Sequence, residues 1–287
     1  MFSPDSATRE AEKFLCELNI TELPINPFAI AKGLGIKVYP KQIDSEGVSG
    51  MLIRHDDQFA IVYATHIDSE GFQRFSISHE IGHYKLPGHV DAIFNEENVH
   101  QSRAGFVSND QYEREADHFA AGLLMPTDLF LAHMKTAGEG LDAIEKLASI
   151  CITSISATAI RYVQQTDIPA AVIQSVSSTI EWCWMSNVLK EIPGLDWIKK
   201  CTSLPRNTAT YDFNRNKSNV IEAKRIDSTS NLQDWFNCQF DVEVIEEVKG
   251  LGKYGRTLTV LTAEEFDLEE LQEEEEIDDS WTPHFRR

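Results

Sequence analysis

Apolar residues at the start of the chain recur at helical spacing. Ala7, Ala11, Phe14, Leu15 and Leu18 fall on one stripe, which predicts an amphipathic helix over residues 5–18. Pro24 and Pro27 punctuate a loop, and residues 28–34 read as a short helix stopped by Gly35. The period then shortens to two. Residues 36–39, 48–53 and 59–63 read as three short strands, the last two joined by a turn at His55-Asp56-Asp57. Helical spacing resumes after Asp68-Ser69-Glu70-Gly71. It runs less regularly through Phe72, Phe75, Ile77, His79, Gly82, His83 and Leu86 until Pro87-Gly88 closes it. Residues 87–107 read as a loop, long enough to suggest a functional role. Ser108 and Gln111 form a capping box for a helix that runs to Met125 and stops before Pro126. Two or three more helices fit 127–165, the last of them capped by Thr153 or Ser154.

The pattern changes after Asp167-Ile168-Pro169. Residues 170–176, 179–185 and 258–261 read as strands and 231–236 as a helical piece, with no internal repeat. The expected class is α+β. A mainly helical domain with a small three-stranded sheet spans 1–166, and a small mixed domain of sensor or regulatory type spans 167–263.

Composition narrows the class. No apolar run approaches the ~18 residues of a membrane span, and the N-terminus lacks the apolar centre of a secretory signal. The five cysteines are scattered, odd in number and without a C-x-x-C, which fits free, mostly buried thiols in a reducing cytoplasm. The formal net charge of -20 disfavours general binding to phosphate backbones. Residues 264–279 hold eleven Asp or Glu and no Lys or Arg, so 264–287 is expected to be a disordered, solubilising tail. Trp281 and Phe285 beyond the acidic run give it an alternative reading as a docking segment.

The chemistry is concentrated at His79-Glu80-Ile81-Gly82-His83, an H-E-x-x-H run on a predicted helix. Histidines four apart share one helical face, so both imidazoles reach one metal ion, and Glu80 reaches a water activated there. A catalytic zinc ordinarily takes a third protein ligand. The helix after the long loop offers Glu113 and Glu115. At about 100° per residue, Glu113 lies roughly 50° from the centre of the apolar stripe of Ala116, Phe119, Ala120, Leu123 and Leu124, while Glu115 lies roughly 110° away, toward solvent. Glu113 is therefore favoured as the third ligand, with Glu115 the alternative. Asp117, one turn on from Glu113, is placed to accept a hydrogen bond from a ligating histidine. Ala116 and Ala120 are small enough to let the two helices approach closely. The remaining histidines are simplest as surface residues, with His89 and His100 alternatively lining the cleft. Tyr84, directly after the motif, is expected to pack or face solvent. The strand at 59–63 is either an ordinary sheet member or an edge that pairs with substrate.

These motifs resemble the ImmA/IrrE family of zinc metallopeptidases. Residues 74–83, RFSISHEIGH, are similar to that family's R-F-T-x-A-H-E-x-G-H. Residues 113–126, EREADHFAAGLLMP, are similar to its E-x-x-A-[ND]-x-F-A-x-x-L-L-M-P, and segments 23–27 and 30–36 fit its opening pattern. The resemblance implies a zincin-like domain in which His79, His83 and Glu113 bind Zn2+, with Glu80 as catalytic base. It implies a substrate class too: a helix-turn-helix transcriptional repressor, cleaved after DNA damage or other stress to derepress prophage, mobile-element or defence genes. Because the chain opens directly on the peptidase domain, the DNA-binding partner is expected to be a separate protein. A non-enzymatic alternative is a zinc-containing module that controls a repressor or toxin by binding. Lys199, Lys200, Arg206, Arg215, Lys217, Lys224 and Arg225 leave open a small ligand or single-stranded DNA as an activating signal for the second domain, although a solvated surface is the simpler reading.

Overall fold

The computed structural model describes residues 4–42, 47–94, 98–103, 108–238 and 240–263. The acidic stretch 264–287, with its expected disorder or docking role, lies outside the described residues. The chain divides into two compact units. One comprises the chain up to Gly138 with Ala143–Thr158, and the other comprises Glu139–Asp142 with the chain from Ala159 on.

The first unit opens with α1 (Pro4–Glu17) and α2 (Pro27–Gly33), the latter capped by Asn26 and followed by Gly35 at φ 75°. Strands β1 (Lys37–Lys41), β2 (Gly50–His55) and β3 (Gln58–Ala64) precede α3 (Glu70–Lys85). Ser69 caps α3 through the Phe72 amide, and the helix ends where Leu86 turns extended before Pro87. Next come α4 (His89–Ile93), β4 (Val99–Ser102), α5 (Gln111–Leu124), α6 (Thr127–Met134), α7 (Gly140–Cys151) and α8 (Ile155–Gln165). The division between units runs through α8, just ahead of the pattern change at 167–169.

Three expectations change here. The sheet has four strands, not three, in the order β1-β3-β2-β4. The fourth comes from the segment read as a loop, because Val99-His100-Gln101-Ser102 is too short to show a β pattern. Strand β3 is therefore interior, paired in parallel with β1 and antiparallel with β2, and β4 is an edge instead. The cap of α5 is Asp110, whose carboxylate accepts from the Tyr112 and Glu113 amides at 2.9 and 3.2 Å, while the Ser108 hydroxyl accepts from the Asp110 amide.

The apolar faces of α1, α2, α3, α5 and the sheet meet in one core, including Ala11, Phe14, Ile30, Ile61, Ile77, Ile81, Phe119 and Leu123. Gly82 lets α3 and α5 touch: a Cβ there would lie 3.2 Å from the Phe119 Cβ and 3.3 Å from the Ala116 Cα. A branched side chain has no room against a neighbouring backbone. Gly82→Val is expected to lower unfolding stability by about 1–3 kcal/mol, read as a fall in the urea midpoint. An unchanged midpoint would show that the helices separate at no cost.

The second unit is built on β5 (Ala170–Val176), β6 (Thr179–Met185), β7 (Arg225–Asn231), β8 (Glu243–Gly250) and β9 (Thr257–Ala263). They form an antiparallel sheet ordered β6-β5-β9-β8-β7. Helices α9 (Asn187–Lys190), α10 (Ala209–Arg215), α11 (Lys217–Ile221) and α12 (Leu232–Phe236) accompany it. Buried Glu246 accepts from the Thr210 amide and hydroxyl, both at 2.7 Å, and so holds the start of α10 on β8. Several basic residues weighed for ligand binding are paired with acids: Arg225 with Asp142, Asp227 and Glu247, Lys224 with Glu222, and Arg215 with Asp212. The five cysteines are free, with Cys151, Cys183 and Cys238 buried and Cys16 and Cys201 exposed. Among the described residues no single helix is long and apolar enough to cross a membrane.

Candidate metal centre

Helix α3 is buried from Gly71 to Gly82 except at Phe72 and Gln73, and its polar residues must find partners inside the protein. Ser76 and Ser78 hydroxyls bond back to the Phe72 and Arg74 carbonyls, at 3.0 and 2.9 Å. His79, Glu80 and His83 are fully buried on the side of α3 that faces α5 and the β2–β4 end of the sheet.

Nε2 of His79 and Nε2 of His83 are 3.1 Å apart. Glu113, from the first turn of α5, brings Oε2 to 3.5 Å from His79 Nε2 and Oε1 to 3.1 Å from His83 Nε2. The three side chains can each offer one atom to a metal ion, all within 4.8 Å of one another. A tetrahedral metal with bonds of about 2.0–2.1 Å separates its donors by about 3.3–3.4 Å. The observed spacings lie to either side of that value, so the donor set is compatible with such an ion.

Hydrogen bonding aims these donors. His79 Nδ1 lies 2.9 Å from Asp117 Oδ1, and both side chains are wholly buried. A carboxylate only accepts, so Nδ1 donates to Asp117 and Nε2 is left as the nitrogen that faces His83 and Glu113. Burial alone disfavours a charged His79, yet Asp117 and Glu113 outweigh it and raise its pKa to about 10. His83 is instead held neutral, with its pKa lowered to about 3 by burial and the neighbouring His79 despite Glu113. Burial would raise the Glu113 carboxyl, but bonds with His100, His79 and His83 hold it well below the usual carboxylate range.

Glu80 differs from the other carboxylates. Neither oxygen makes a hydrogen bond of ordinary geometry among the described residues, although the Ser102 hydroxyl stands near enough to act on it. Burial raises its pKa to about 7, against the pull of His79 and Ser102. Its room comes from Gly50 on β2, where a Cβ would stand 2.7 Å from Glu80 Oε1 and 3.3 Å from the Val62 carbonyl. Sequence patterning gives no sign of Gly50, because the contact joins segments 30 residues apart.

The long segment after α3 adds two histidines. His100, on edge strand β4, places Nε2 2.8 Å from Glu113 Oε1, its ring 4.8 Å from that of His83. His89 on α4 is 1% exposed, not a surface residue, because Gly88 at φ 79° turns the chain back over α3 and α5. Glu115 is 4% exposed, not turned to solvent, because His89 of α4 covers a flank of α5 outside its apolar stripe. Glu115 bonds His89 and Gln111 and lies outside the donor cluster. Tyr84 packs edge-on against Phe59, at 5.0 Å.

Residues 31–159 match the family model of the IrrE N-terminal-like domain, Peptidase_M78. No curated protein matches the chain. Among solved structures, a Mycobacterium tuberculosis transcriptional regulator aligns with 90% of this chain and 76% of its own, with a TM-score of 0.58 and 14% identity. At that identity the likeness is one of fold.

Proposed function

We propose that this chain, whose residues 31–159 belong to the IrrE N-terminal-like peptidase family, is a zinc-dependent endopeptidase that cuts one or a few regulatory proteins at a defined site. The observation that carries this reading is a fully buried carboxylate, Glu80, with no hydrogen bond of ordinary geometry among the described residues, beside three converging metal donors. A purely structural metal site has no use for such a group. His79, His83 and Glu113 would hold the zinc, and Asp117 orients His79. When bound, zinc supplies Lewis acidity, which acidifies water and polarises a peptide carbonyl.

The protein's own side chains do the rest. Glu80 takes the proton from the attacking water and returns it to the leaving amine. The outer side of β4 offers backbone groups to an extended peptide, and His100 on this strand brings its ring to the donor cluster.

The substrate class rests on the family resemblance: a helix-turn-helix repressor, cut in response to DNA damage or another stress. A protein sharing this fold is described as a transcriptional regulator, in keeping with a regulatory role. The test is to incubate the purified chain, zinc and the helix-turn-helix protein encoded beside its gene, then resolve the products by mass. Two fragments that meet at a single cut site are expected. An intact partner bound stably by the chain would favour control by binding instead.

A further inference from the structure

We infer that His89 and Glu115 act as a positioning relay that fixes the ring of His83 as a metal ligand, as Asp117 does for His79. The inference rests on the metal-binding reading of the His79, His83 and Glu113 cluster. His89 Nε2 lies 3.0 Å from Glu115 Oε2, and His89 Nδ1 lies 3.2 Å from His83 Nδ1. His83 is wholly buried, and His89 and Glu115 are nearly so.

The proton positions follow by elimination. The Glu115 carboxylate accepts, so His89 Nε2 carries the hydrogen. A neutral His89 then has only a lone pair at Nδ1. His83 Nδ1 must therefore donate to it, which leaves the lone pair of His83 at Nε2, the atom 3.1 Å from Glu113 Oε1. The relay reaches the metal donors through one tautomer of each ring.

Its members are themselves held. Gln111 Nε2 donates to the second oxygen of Glu115 at 2.7 Å. The Tyr112 ring stands edge-on to His89, with centroids 5.0 Å apart and planes at 89°. Glu113 and Glu115, two residues apart, thus serve one centre from different sides of α5: one as donor, the other through two imidazoles.

The test measures zinc affinity of the full chain by competition with a chromophoric chelator, together with the visible spectrum of the cobalt-loaded protein. His89→Leu removes the acceptor and is expected to weaken zinc binding by about 10- to 100-fold and alter the cobalt spectrum. His89→Asn keeps an acceptor oxygen near the place of Nδ1 and is expected to recover most of the affinity. Circular dichroism establishes that each variant is folded. A folded His89→Leu chain with native affinity and spectrum would overturn the relay alone, as would an Asn variant as weak as a folded Leu variant. If His89→Leu fails to fold, native-like affinity in His89→Asn supports the relay and a loss beyond 10-fold overturns it. A native chain that binds neither metal would overturn the metal reading, and the relay with it.

Discussion

Glu80→Gln is expected to fold, to bind zinc as the native chain does, and to cleave its substrate about 10²–10⁴-fold more slowly. The substitution keeps the shape of a wholly buried side chain wedged against Gly50 and removes only its capacity to take a proton. Because Glu80 is not among the three converging donors, metal content should not change. Single-turnover cleavage, with metal content measured on the same sample, separates the two quantities. Undiminished cleavage by the purified variant would remove Glu80 from the role of base. Equal loss of metal and cleavage would make it a ligand.

Glu113→Ala is expected to abolish both metal binding and cleavage. It takes away the only acidic donor of the cluster, and it also leaves His79, His83 and His100 facing a cavity where each had an oxygen within 3.5 Å. The native chain should gain thermal stability when zinc is added, since a ligand that binds only the folded state shifts the folding equilibrium. Glu113→Ala should lose that gain, and His79→Ala should behave alike. Zinc content unchanged in Glu113→Ala would transfer the third-ligand role to another residue.

Much of the site is legible in the sequence because its central parts obey helical geometry. His79 and His83 share a face by their spacing, and Glu113 with Asp117 repeats the relation on α5. The hairpin at 170–185 is equally plain: apolar, β-rich runs flank Ser177-Ser178, and β5 and β6 have the expected bounds. What escapes is whatever depends on partners remote in the chain. Strand β8 carries buried Glu246 and Glu247, charges that spoil an apolar pattern. They are tolerated because Thr210 satisfies the first, and the Leu141 amide and Arg225 the second. Glu115 and His89 escape for the same reason: each is polar by composition, and each finds its buried partner in a segment remote from its own.

The four-residue strand β4 and the short helix α4 both lie between His83 and Glu113. A metal held by those two residues closes a circuit of about 30 residues, and on the chain-entropy scale for a covalent cross-link such closure is worth about 3–4 kcal/mol. Such an ion would serve as a clasp as well as a reagent, tying the stretch that carries His89 and edge strand β4 at both of its ends.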